Sequence, residues 1–311
     1  MGICESSRSP ASSSSPTTAS SSSFSSQSQC LIKSIDAHKN KIASLIELSS
    51  GNIATGSYDK TIKIWDLFNG YKGEMIEEGY VFCLLEFEPN QLLSGTSSNN
   101  IQLWDINSRQ SLYKFEGHSL WVNCLVKCNE LYFASCSNDS DIRIWNYQSR
   151  QCENILKGHT DCVLALIKLN DGKLCSGSAD LTIKIWNWEV NMCVLTLEGH
   201  NEMIKCLCQL RNGYILSGSN DKTIKVWEQD KIIENLNGHL SSVRALCPIN
   251  DNIFASGSFD KTIKIWDINT KQCIKTLEGH TSNVTGLIYH SSRCLISCSK
   301  DGTIKLWKLN L

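Results

Sequence analysis

One residue sets the frame of this chain. A tryptophan preceded by Ile, a Lys, Gln or Arg, and then Ile, Leu or Val returns at Trp65, Trp104, Trp145, Trp186, Trp227, Trp266 and Trp307. The intervals are 39, 41, 41, 41, 39 and 41 residues. An apolar residue fit to open a strand stands 23 residues before each: Ile42, Val81, Val122, Val163, Ile204, Val243 and Val284. A constant offset inside the unit, with variation outside it, means that the centre of each unit is geometrically fixed and length differences fall in one connecting loop.

Each unit reads as four short strands in the order d, a, b, c. In the fourth unit they are predicted over 153–156, 163–168, 173–178 and 182–186, divided by the turn signals Asn170-Asp171-Gly172 and Ala179-Asp180. A small antiparallel sheet of this kind cannot bury both faces alone, so seven must stack radially. The expectation is an all-β fold: a seven-bladed β-propeller of four-stranded antiparallel blades over 30–311. After Trp307 only four residues remain, so the last unit lacks its outer strand. Residues 31–35 are predicted to supply it, closing the ring by pairing an N-terminal strand with the C-terminal blade and leaving no gap between first and last blades.

The Gly-His pairs Gly117-His118, Gly158-His159, Gly199-His200, Gly238-His239 and Gly279-His280, with the Trp-Asp pairs Trp65-Asp66, Trp104-Asp105 and Trp266-Asp267, resemble the WD-repeat β-propeller family over roughly residues 30–311. The resemblance implies a structural role for the repeated polar residues and a face that docks peptides.

Those polar residues look catalytic at first sight, because His, Ser and Asp recur together. Near-copies of one nucleophilic triad around a ring make no sense as an enzyme, whereas copies of a buried hydrogen-bond network are what a repeat fold needs. An indole donates, a serine donates and accepts, an imidazole bridges and a carboxylate accepts. The predicted networks are His38, Ser57, Asp59 and Trp65; His118, Ser137, Asp139 and Trp145; His159, Ser178, Asp180 and Trp186; His200, Ser219, Asp221 and Trp227; His239, Ser258, Asp260 and Trp266; and His280, Ser299, Asp301 and Trp307. The second unit has Gly79-Tyr80 where others have Gly-His, and Ser98 at the turn aspartate, so it is expected to lack the network. Drift in one blade is the plain account; remodelling for a partner is the other.

Composition narrows the rest. Lys+Arg number 30 against Asp+Glu 31, which argues against a basic nucleic-acid grip. No apolar run approaches the roughly 18 residues of a membrane span. Sixteen cysteines would suit a disulfide framework in a secreted chain, but the start MGICESS has no secretory character. Cys124/Cys128, Cys206/Cys208 and Cys294/Cys298 could pass for metal half-sites, yet they fall on repeated strand positions without a histidine pair, so buried thiols are expected and no metal or cofactor.

In a d-a-b-c meander the d-to-a and b-to-c loops emerge on one side. Three positions per blade then crowd the channel mouth: the residues flanking the start of strand a and the one before the turn aspartate. None of them is acidic. Lys205, Arg244, Lys300 and Lys41 give one cation to each of four consecutive blades, and Phe259, Tyr58, Tyr80, Phe82 and Trp121 supply aromatic rings beside them. Clustered cations suit carboxylate or phosphate, and aromatic and Arg side chains are favoured anchors. The expected ligand is a peptide or domain, acidic or phosphorylated on one flank and apolar on the other; ordinary solvated loops are the plainer account.

Residues 1–29 hold 14 serines and read as a flexible arm. Its start matches the myristoylation pattern at Gly2, with Cys4 placed for a second acyl chain, which a lone myristoyl group needs for stable anchoring. The functional expectation is a non-enzymatic scaffold for protein partners, a monomeric ring within larger complexes, cytoplasmic and tethered at a membrane by the acylated arm. The alternative is a substrate-recognition subunit of a multi-protein enzyme such as a ubiquitin ligase.

Overall fold

The computed structural model describes residues 30–309. The Ser-rich arm with Gly2 and Cys4 lies outside the described residues. Twenty-eight strands, numbered β1 to β28 along the chain, form seven four-stranded antiparallel sheets arranged as the blades of one propeller.

The fourth blade shows the pattern. From hub to rim it runs β14 (Val163–Lys168), β15 (Leu174–Ser178), β16 (Ile183–Asn187) and β17 (Met192–Leu197). Every residue of β15 is buried, β16 alternates, and β17 is largely exposed apart from Leu197. The outer strand of each blade comes from the next sequence unit, so units and blades are offset by one strand. Each unit is therefore stitched into two blades.

The apolar core lies between blades. Trp186 packs with Ala134, Ile142 and Ile144 of the blade before it, and Trp65 packs with Ile296, Ile304 and Leu306 of the last blade. Each buried indole removes on the order of 200 Å² from water, roughly 5 kcal/mol at about 25 cal/mol per Å². A tryptophan at a fixed place in every unit thus glues each blade to its predecessor.

The ring closes through the N-terminal strand, as expected. β1 (Leu31–Asp36) runs antiparallel to β28 (Thr303–Lys308), with Ile35 opposite Ile304 and Ser34 opposite Lys305. The Lys308 amide donates to the Cys30 carbonyl at 2.8 Å, and the Ala37 amide to that of Gly302 at 3.0 Å. Cysteine placement departs from expectation in part: Cys193 and Cys273 lie exposed on outer strands while most others are buried or half-buried.

Candidate protein-interaction face

A polar chain runs through six blades, with one residue changed from the expectation. In the fourth blade the Trp186 indole donates to Ser176 Oγ at 2.8 Å, Ser176 bridges to His159 Nε2 at 2.7 Å, and His159 Nδ1 meets Asp180 at 2.6 Å. The serine is therefore Ser176, not Ser178. Ser135, Ser217, Ser256 and Ser297 stand in the same place, and Thr55 does so in the first blade. Ser57, Ser137, Ser178, Ser219, Ser258 and Ser299 do another task. Each accepts the amide of its turn aspartate, and all but Ser299 also donate to a carbonyl of the loop entering strand a. The reason is reach. Ser176 sits two residues along the strand from the pair Leu174–Trp186, whereas Ser178 lies at the far end of the strand, beside the turn.

Burial pushes the His159 and His38 imidazoles below the usual histidine range, which favours the neutral ring with one donor and one acceptor. The aspartates are held the other way. Burial raises the Asp139 carboxyl, but the His118 hydrogen bond and charge and the Ser119 and Asp141 amides outweigh it, and the group is lowered to about 2. The glycine before the histidine has a steric cause as well: Gly158 has φ of +153°, and a Cβ there would stand 3.2 Å from the Trp186 ring.

The second blade does carry a network, with Glu77 as its acid in place of histidine. Trp104 donates to Glu77 Oε1 at 2.9 Å and to Ser94 Oγ at 3.0 Å, and Ser94 bonds Glu77 directly. Glu77 is buried, and burial pushes its carboxyl above the usual range. Glu77 lies 27 residues before Trp104, the offset of His159 from Trp186, so Gly79-Tyr80 is not the counterpart of the Gly-His pairs.

The loops at the mouth are locked together blade by blade. The amides of Tyr58, Ser97, Asn138, Ala179, Asn220, Phe259 and Lys300 donate to the carbonyls of Lys41, Tyr80, Trp121, Cys162, Met203, Ser242 and Asn283 respectively. These bonds put the d-to-a and b-to-c loops of all seven blades on one face. There Lys41, Phe82, Asn123, Leu164, Arg244 and Thr285 line a cavity at the channel entrance. Beside it Lys41, Tyr58, Phe259 and Lys300 share a second hollow.

Two halves of the mouth differ in chemistry. Tyr58 stacks on Tyr80 at 4.9 Å and meets Phe82 edge-on at 5.4 Å, and Phe82 stacks on Trp121 at 5.3 Å, an aromatic ladder across three blades. Tyr80 and Trp121 are exposed. Adjoining the ladder, where Lys41 Nζ lies 4.4 Å from the centre of the Tyr58 ring, burial together with Arg244 and Lys300 lowers the Lys41 ammonium to about 8, and burial with Arg244 lowers Lys205 to about 8. Burial also lowers Arg244. Among the described residues the Lys and Arg ion pairs are formed by other side chains, so these four cations lack one. Asp161 raises Lys205, but by less than Arg244 lowers it.

Among the described residues no group of three or more His, Cys, Asp or Glu side chains could hold a metal ion. Curated proteins match the chain only in part. An uncharacterized WD repeat-containing protein of Schizosaccharomyces pombe is 40% identical over 24% of this chain and 22% of its own length. Autophagy-related protein 16 of Arabidopsis thaliana is 30% identical over 27% and 18%, and a ribosome biogenesis protein WDR12 homolog of Drosophila persimilis is 27% identical over 30% and 23%. The matches thus span about a fifth of the length of these relatives. The model of the WD domain, G-beta repeat, matches residues 29–66, 109–146, 150–187, 191–228, 230–267 and 271–308, passing over the unit whose acid is Glu77. With those six matches covering most of a closed seven-bladed ring, the chain belongs to the WD40 repeat family.

Proposed function

We propose that this propeller is a non-enzymatic interaction scaffold whose channel mouth takes a peptide segment of a protein partner, acidic or phosphorylated on one flank and apolar on the other. The observation that carries the reading is the set of four cations without ion pairs, Lys41, Lys205, Arg244 and Lys300, beside the Tyr58, Tyr80, Phe82 and Trp121 ladder. Lys41, Lys205 and Arg244 are partly desolvated near one another and so costly to keep charged, and an incoming anion relieves that cost. Exposed rings next to them offer the apolar anchor.

The test is a peptide array carrying phosphoserine or phosphothreonine beside apolar residues, with unphosphorylated and Glu-substituted copies. Replacing Arg244 and Lys300 by Gln should lower binding by ten-fold or more while the melting temperature stays within a few degrees. Undiminished binding would reject the reading. Lys41 and Lys205 add a pH signature. Both must be protonated to attract an anion, and both are lowered to about 8, so affinity should fall between pH 7 and pH 9. Lys41→Arg should flatten that fall.

The N-terminal arm is proposed to tether the ring to a cytoplasmic membrane face through acyl groups on Gly2 and Cys4. Gly2→Ala should move the protein from the membrane to the soluble fraction of fractionated cells, and identical partitioning would remove the proposal. Co-purification of ligase components instead of membrane-fraction partners would favour a recognition subunit.

A further inference from the structure

Strands a and b of every blade oppose each other at one fixed pair of positions, and the chain keeps that pair small. Ser44 faces Gly56, Cys83 faces Gly95, Ala165 faces Gly177, Cys206 faces Gly218, Ala245 faces Gly257, and Gly286 faces Cys298. The glycine has a steric cause. A Cβ on Gly218 would stand 2.6 Å from the Cys206 sulfur and 2.7 Å from a Val243 methyl of the next blade.

The third blade keeps a side chain on both strands, and both are thiols. Cys124 of β10 (Val122–Lys127) stands opposite Cys136 of β11 (Tyr132–Ser137). Directly opposed residues of antiparallel strands have Cα atoms about 4.5–5.5 Å apart. That lies within the roughly 4.4–6.8 Å that a disulfide spans.

The two thiols differ in access. Cys136 is completely buried, whereas Cys124 is half-buried on the hub strand, next to Asn123 of the channel lining. A hydrogen bond from Cys136 lowers the Cys124 thiol, and burial pushes Cys136 well up. Cys124 is therefore the more reactive sulfur and Cys136 the partner behind it.

We propose that Cys124 and Cys136 form a reversible cross-strand disulfide when the protein meets hydrogen peroxide. The Cys124 thiolate attacks one peroxide oxygen, the O–O bond breaks, and the departing hydroxide takes the thiol proton to leave as water, giving a sulfenic acid. The Cys136 sulfur then attacks the Cys124 sulfur, the S–O bond breaks, and the hydroxide leaves as a second water with the Cys136 proton. Two thiols and one peroxide become one disulfide and two waters, and a thiol reductant reverses the change by exchange. The bond would fasten the hairpin that bears Asn138, whose amide already holds the Trp121 carbonyl, so oxidation acts at the aromatic end of the mouth.

The experiment exposes the folded full chain to one equivalent of hydrogen peroxide, denatures it in alkylating reagent and maps the peptides by mass spectrometry. A linked pair containing positions 124 and 136, lighter by two hydrogens and released by dithiothreitol, is the expected result. Cys136→Gly, the residue five other blades carry there, should abolish the link and leave Cys124 trapped by dimedone as sulfenic acid. The proposal is overturned if both cysteines are recovered as thiols. It is equally overturned if Cys124 in the unaltered protein is trapped as sulfenic acid with Cys136 free, or if oxidation is confined to exposed Cys193 and Cys273.

Discussion

A chain lacking residues 31–36 should lose the whole ring, not one strand. β1 supplies five registered pairs to β28, Lys305 Nζ donates to Ser34 Oγ at 2.7 Å, and Ile35 packs on the cluster that holds Trp65. At about 1 kcal/mol per ladder hydrogen bond the loss is on the order of 5 kcal/mol before any packing is counted. Domains are commonly stable by only about 5–15 kcal/mol. Deletion also leaves β28 as a bare edge between the last and first blades. The cooperative melt seen by circular dichroism should fall by 10 °C or more, or vanish, and a synthetic peptide of residues 30–37 added in excess should restore part of it. A melt within a few degrees of the intact chain would show that the core contacts of Trp65 and Trp307 close the ring without the strand.

The second large effect separates two neighbouring serines and two kinds of acid. Ser176→Ala strands the Trp186 indole and His159 Nε2 in a dry site, at about 1–3 kcal/mol for each group. Ser178→Ala removes a turn contact and should cost less, about 1 kcal/mol. Equal losses in urea titrations would contradict the assignment. The acids respond to pH with opposite signs. Asp139 is lowered to about 2 in the fold, so the unfolded chain binds the proton more readily; its stabilisation is present above pH 4 and is lost as pH falls through about 2. Glu77 is raised, so the folded chain binds the proton more readily, and its contribution is lost as pH rises through that raised value. Glu77→Gln keeps an acceptor for Trp104 without a burial cost for charge. It should match the unaltered protein at acid pH and exceed it at neutral pH, whereas Asp139→Asn should be destabilised at neutral pH.

The fold was legible because its determinants are periodic. The constant distance from Val163 to Trp186, repeated in each unit, reports a hairpin of fixed length, and β1 from the other end of the ring supplies the fourth strand of the last blade. Strand limits shifted by only a residue in the fourth blade, where β15 begins at Leu174 and β16 at Ile183. The network was legible in kind but not in atom. Ser176 and Ser178 point to the same side of one strand, and what selects Ser176 is its ten-residue separation from Trp186, which places it diagonally across the hairpin from the indole. Glu77 was hidden by a lookalike: Gly79-Tyr80 resembles a Gly-His pair, and only counting back from Trp104 shows which residue faces the indole. The paired thiols were overlooked for a different cause. Cys124 and Cys136 are read separately along the chain, and their juxtaposition exists only in the strand register.

The way the ring closes also gives the molecule a handle. β1 climbs toward the mouth, ending at Asp36 just before the loop whose Lys41 carbonyl holds Tyr58, so its start at Leu31 lies at the opposite face. There Cys30 is bonded to Lys308, which brings the first and last described segments of the chain side by side. Cys30 thus enters the ring from underneath, as a stem joins a cup. A tag or a domain fused on that side should hold the protein in place and leave the opening clear.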